Sequence, residues 1–152
     1  GVVMSGARIE GIDDALARIN EFVDTANKNA QAGLWEAGLK IMAVAQKDRL
    51  APIYKGGPLG NYRLTGNLRA SGYVRAASGI ERPDPANLDS SENESVPGDT
   101  LPPVGIELGF TAVYAMNIHE NMEGRAPKFL ESAIVDNEQR IIEIVKHHTG
   151  AK

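Results

Sequence analysis

The chain has 152 residues, 42% hydrophobic and 24% charged, which is the size of one domain with apolar content for one core. Its formal charge of −4 lacks the basic excess of a dedicated nucleic-acid binder, and without cysteine it forms neither disulfides nor thiolate-bound metal centres. No apolar run reaches the ~20 residues of a membrane-spanning helix and the first residues lack a signal-peptide pattern, so synthesis in a reducing cytoplasm and no membrane partner are expected.

Asp13-Asp14 reads as a helix start, with acids at the positive end of the dipole, and Ile12, Leu16, Ile19 and Val23 follow at helical spacing. The polar run 25–31 weakens this stripe, which resumes at Leu34, Ala37, Ile41, Val44 and Ala45 and stops before Ala51-Pro52. One long helix, bent near 29–33 and ending about Leu50, is predicted. Gly and Pro crowd residues 52–60, a loop in which Tyr54 and Tyr62 are candidate anchors. From Thr65, Leu68, Ala70, Gly72 and Val74 alternate with Arg69, Ser71, Tyr73 and Arg75, which predicts a half-buried strand whose polar face carries two arginines and a tyrosine.

Residues 78–103 form a Pro-, Ser- and Asn-rich excursion in which Glu81, Asp84, Asp89, Glu92, Glu94 and Asp99 stand against Arg82 alone, a net of −5 that leaves the rest of the chain near neutral. Nothing in it can bury a core, so ordering by a neighbouring subunit is expected, and excision of residues 82–100 is expected to leave a folded body. A second strand is predicted at 104–108, a turn or bulge at Gly109, and a third strand at 112–118. Pro127 opens a final helix whose stripe of Phe129, Leu130, Ala133, Ile134, Ile141, Ile144 and Val145 runs to 147–150. The order implies a single α+β domain over 1–152: a small antiparallel β-sheet packed against a long N-terminal helix and a C-terminal helix, with a long acidic loop between strands.

Residues that could carry chemistry are few. His119-Glu120 and His147-His148 lack the H-E-x-x-H spacing, no G-x-S-x-G elbow exists, and Gly56-Gly57-Pro58-Leu59-Gly60 lacks the Lys-Ser/Thr ending of a phosphate loop. A metal-dependent enzyme built on His119, Glu120 and His147 is the minor reading; no catalytic residue, metal or cofactor is assigned. Arg63, Arg69 and Arg75, with Lys55, are the one basic concentration near aromatics. They suit either DNA passing through a channel or salt bridges to the acidic loop of the next copy in a head-to-tail ring. The candidate inter-subunit or channel charges are thus Arg63, Arg75, Glu81, Asp84, Asp89, Glu92 and Glu94.

Three segments carry a resemblance. Thr65-Gly66-Asn67-Leu68-Arg69-Ala70-Ser71, then Val113-Tyr114-Ala115 leading to His119-Glu120, then Ala126-Pro127-Lys128-Phe129-Leu130 follow one another as "TG-x-L-R-x-S", "YA…(H/E)E" and "P-x-FL…A". That order resembles the tail-completion family of minor structural proteins in the neck of tailed bacteriophages. The matching positions are Thr65, Gly66, Leu68, Arg69, Ser71, Tyr114, Ala115, His119, Glu120, Pro127, Phe129 and Leu130. The resemblance implies a non-enzymatic virion subunit, assembled in the host cytoplasm, whose ring joins the head connector to the tail tube. A tail terminator in a hexameric ring is expected; a head-side adaptor or stopper, or a dodecamer, is the alternative. Its implied partners are copies of itself, adjoining neck proteins and the tail tube, with DNA as passing channel contents. The acidic excursion departs from the family's simple hairpin and is expected to be a docking arm.

Overall fold

A computed structural model describes residues 2–4, 7–8, 28–54 and 66–150. The helix start at Asp13-Asp14, the stripe as far as Val23, and Lys55, Tyr62, Arg63 and Thr65 lie outside the described residues. Helix α1 (Lys28–Val44) turns Ala30, Leu34, Ala37, Ile41 and Met42 inward, at the spacing of one helical face. It runs on through a π-helical turn, Ala45–Arg49, in which the Leu50 N–H donates to Ala45 O at 3.0 Å, and then into the short α2 (Ala51–Tyr54). A normal α-helical turn would bring Arg49 beneath Ala45; the wider turn brings Leu50 there, and both Ala45 and Leu50 are fully buried.

The sheet is built on three antiparallel strands, β3 (Gly72–Ala76), β4 (Gly79–Glu81) and β5 (Glu107–Phe110), with β3 in the middle of the three. Two short N-terminal strands extend it: β1 (Val2–Met4) lies parallel to β5, and β2 (Ala7–Arg8) antiparallel to β1. The order is β2-β1-β5-β3-β4. The remaining helices are α3 (Asn67–Ala70), α4 (Ala115–Glu120), α5 (Phe129–Val135) and α6 (Glu138–Thr149). The molecule has the α+β arrangement expected, a small sheet against a long helix and C-terminal helices.

Several expected elements are different. The first strand begins at Gly72 rather than Thr65, because Asn67–Ala70 closes a helical turn after Gly66, whose φ of +82° is a left-handed conformation favouring glycine. The third strand at 112–118 is instead largely α4: Ala115 and His119, four apart, are both fully buried on one helical face. The single C-terminal helix is two, parted at Asp136-Asn137, where Asn137 Nδ2 donates back to Ala133 O at 2.8 Å. Pro127 sits just before α5 rather than within its first turn, Lys128 being the cap residue. Gly109 is neither turn nor bulge; it pairs with Tyr73 inside the sheet, and a Cβ there would come within 2.5 Å of the tyrosine ring.

The core fills the space between the sheet and the helices. Val74, Leu108 and Phe110 point to α1, and Phe129, Leu130, Ile134, Ile141 and Val145 of α5 and α6 complete the cluster. Burial of a side chain such as Phe129 or Leu130 contributes roughly 1.5–3 kcal/mol. Phe110 and Phe129 meet edge to face with centroids 5.0 Å apart. Helix α1 makes its largest contact with α6, and they touch backbone to backbone: a Cβ on Gly33 would lie 2.8 Å from Val145 Cα.

In an exposed helix, Gly→Ala gains about 1 kcal/mol. Here Gly33→Ala is expected to reverse that sign and lower stability by ~1–3 kcal/mol through overpacking, as a fall in the urea midpoint at unchanged slope.

Candidate functional site

The segment 114–120 bonds to both of the others, to 66–71 through Tyr114 and Asn67 and to 126–130 through His119, Glu120 and Lys128. Leu68, Ala115, Phe129 and Leu130 are members of the same buried cluster, and the described polar motif residues Arg69, Ser71, Tyr114, His119 and Glu120 each have a structural partner. Arg69 Nε donates to Gln46 O at 2.7 Å while Gln46 Nε2 donates to Arg69 O at 2.9 Å, a reciprocal pair that ties α3 to the π turn of the long helix. Ser71 Oγ donates to Leu68 O at 2.8 Å and closes α3. Arg69 therefore does not share a strand face with Arg75.

Asn67, the variable position of the first motif, is the hub that sequence reasoning passed over. Fully buried, its Nδ2 donates to Tyr114 Oη at 2.9 Å, and its Oδ1 accepts from the Asp89 N–H at 2.9 Å and from Asn93 Nδ2 at 2.7 Å. One amide thus joins the first motif, the second motif and the acidic excursion. A hydrogen-bonding side chain between the motif glycine and an apolar residue was the available signal.

Around His119 the second and third motifs interlock. The ring is fully buried and stands edge-on to Phe129, centroids 5.0 Å apart. Its Nε2 accepts the Glu131 N–H at 3.2 Å, so in the neutral ring the proton sits on Nδ1, which points to Glu120 Oε1 at 3.3 Å. Glu131 is the third residue of α5, and Lys128 makes no side-chain cap, so His119 supplies the missing capping acceptor from another helix. Lys128 holds a left-handed φ of +52°, a strain of roughly 1–3 kcal/mol for a non-glycine residue. It is retained by its N–H to His119 O at 2.7 Å and by ion pairs of its ammonium with Glu120 and, at 3.6 Å, Glu131. The hydrogen bond to Lys128 holds Glu120 below the usual carboxylate range, and the same bond raises Lys128; burial, aided by Lys128, pushes His119 below an ordinary histidine against the pull of Glu120 and Glu131.

On the sheet face turned from α1, Arg75 stands opposite Glu107 and Tyr73 beside it. Arg75 donates to Glu107 through Nε at 2.8 Å and Nη2 at 3.1 Å, and Tyr73 Oη donates to Glu107 Oε2 at 3.1 Å. Glu107 is 2% exposed and Arg75 8%. Burial first, then Glu107, pushes the Tyr73 phenol well above its usual range, while hydrogen bonding to Glu107 raises Arg75 further. The excursion closes over this face. Asp99 accepts from Arg75 through its carbonyl at 2.6 Å and its carboxylate at 2.9 Å. Arg82 lies 5.9 Å from the Tyr73 ring centroid and donates to Ser71 O at 2.7 Å. Further along, the Glu94 N–H donates to Thr111 O at 2.8 Å and the Val113 N–H to Glu92 O at 3.0 Å. Gln31, in the polar break of α1, makes a two-way amide pair with Gly105, at 2.7 and 3.0 Å.

These contacts revise two expectations. The strand is buried on both faces rather than half-buried, and the acidic excursion, expected to be ordered by a neighbouring subunit, is bonded to the body of its own chain. The arginine–acid match expected between copies is made within one chain by Arg75 and Asp99. Of the other candidate charges, Glu81, Asp89 and Glu94 are exposed, and Asp84 and Glu92 half-buried. His147 lies with Glu36, Lys40, Arg140 and Glu143 along an open cleft between α1 and α6, and is not brought to His119 and Glu120. Among the described residues no group of three or more His, Cys, Asp or Glu side chains is placed to hold a metal ion. Compared with family models, with curated proteins and with solved structures, the chain matches none.

Removing one member of a buried ion pair strands the other, at ~3–5 kcal/mol, whereas apolar replacement of both is far milder. Arg75→Met and Glu107→Leu alone are expected to lose that much in urea unfolding, and the double variant substantially less than either. Excision of residues 82–100, which uncovers the pair, is expected to yield an unfolded or aggregated chain by circular dichroism and gel filtration.

Proposed function

We propose that this chain is a structural subunit of the neck of a tailed phage, a tail-completion protein whose ring joins the head connector to the tail tube. The observation that carries the proposal is the convergence of the three resembling segments: residues far apart in sequence form one joint in which Asn67 holds Tyr114, and His119 and Glu120 hold the start of α5. A pattern of short, common residues gains weight when its members depend on one another. The sheet adds support, since it ends in β2 on one side and β4 on the other, and β4 is exposed with Ile80 at 49%. Strand edges of this kind can pair between copies, and closing a ring removes them.

The competing readings draw less from the geometry. Arg69 and Arg75 engage groups of their own chain, which leaves Arg63 as the arginine of that set a DNA-contacting surface would rest on. An enzyme around His119 would need a ring nitrogen open to substrate, and both are engaged in a fully buried ring.

The test is genetic and visual. A phage unable to make this chain should accumulate filled heads and separate tails, and gold-labelled antibody should mark the head–tail joint of complete virions. Purified protein, alone or with tail tubes, should give rings by negative-stain microscopy, whose symmetry also separates the hexamer from the dodecamer. Infectious particles lacking the polypeptide, or label elsewhere on the virion, would overturn the proposal.

A further inference from the structure

A histidine that caps a helix through an unprotonated nitrogen can do so in only one protonation state. His119 Nε2 accepts the Glu131 N–H at 3.2 Å, and a protonated ring has no lone pair there to accept with. The added proton would also place a positive charge at the positive end of α5, beside Lys128. The charged groups acting on the ring are Glu120 on its own helix and Lys128 and Glu131 from α5. Three contacts at the end of the connection 121–128 meet at this point: the Lys128 N–H bond to His119 O, the Lys128–Glu120 pair, and the cap itself. Asn121, Met122, Glu123 and Pro127 of that connection are already exposed, and the apolar anchor that resists its leaving is the small side chain of Ala126, buried in the core.

We propose that the α4–α5 joint is an acid-sensitive latch: neutral His119 caps α5 and keeps the 121–128 connection shut, and protonation at Nε2 releases it while α1, α6 and the sheet stay folded. The inference is independent of the proposed phage role. The direction follows from burial, which holds the folded histidine below its ordinary value near 6.5. Above that value neither the closed nor the open form binds the proton and the latch is at full strength. As pH falls below it, the open form takes up the proton first, and closure weakens by up to about tenfold per pH unit until the closed form titrates as well.

Hydrogen exchange of the full chain, followed by NMR from pH 7.5 to 5 and corrected for intrinsic exchange, reads this directly. The Glu131 amide should lose protection by up to about tenfold per pH unit in the acid range, while the Ile141 amide in α6 keeps its own. In His119→Gln, whose amide oxygen can accept but not titrate, Glu131 protection should no longer depend on pH. Unchanged pH dependence in that variant, or Glu131 and Ile141 losing protection together in the wild type, would overturn the latch. Should His119→Gln not fold, the imidazole nitrogen shifts of the wild-type protein decide: Nε2 must take up its proton over the same pH range in which Glu131 opens, and protonation with protection retained refutes it.

Discussion

Arg75 and Glu107 face one another across neighbouring strands on the side of the sheet that α1 does not cover, and a charge pair so placed must either keep its water or be roofed. This chain roofs it. Asp99 completes the coordination of the guanidinium, Arg82 lies over Tyr73, and the segment around Asn93 runs beside the continuation of β5. The attraction of the pair alone does not make such an arrangement favourable, because desolvating two charges cancels most of it. What the pair contributes is specificity: an otherwise core-poor loop has one place to go, and β3 and β5 become strands with two dry faces.

The same logic explains what could be seen in the sequence. The alternation that put Val74 on one face and Tyr73 and Arg75 on the other is real, as is the apolar stripe of α1, since both are local periodicities set by the pleat and the helical turn. What could not be seen depended on partners distant in the chain. Glu107 looked like one acid among many until β5 set it against Arg75, and Gln31 looked like part of a polar interruption until it met Gly105. Ala112 to Ile118 alternates well enough for a strand, but His119 packs on Phe129 of α5 and Ala115 belongs to the same buried core, and tertiary packing chose the helix.

For function, the motif residues and the charged residues part company. The described polar motif residues are satisfied within the chain, Arg69 by Gln46, Tyr114 by Asn67 and His119 and Glu120 by the start of α5, which suits a part whose task is to keep its shape. Among the acids that remain at the surface, Glu81 ends β4, and Asp89 and Glu94 belong to a loop that is pinned rather than free. A pre-shaped acidic ridge meets a partner without the ordering cost that a disordered arm would bear. On the proposed role, specificity for adjoining neck components would come from this ridge, and binding strength from apolar contact elsewhere.

The π-helical turn at Ala45–Arg49 makes the chain sensitive to its own length at that spot. Each residue of an α-helix turns the chain by about 100°, so losing one residue from the turn would swing Leu50 and all of α2 round the axis. If the lost residue were Ala45 or Gln46, the Gln46 bonds to Arg69 would go as well, and the first motif would lose its mooring. Insertions and deletions among related chains should therefore gather at the excursion's surface bends and be absent between Ala45 and Leu50.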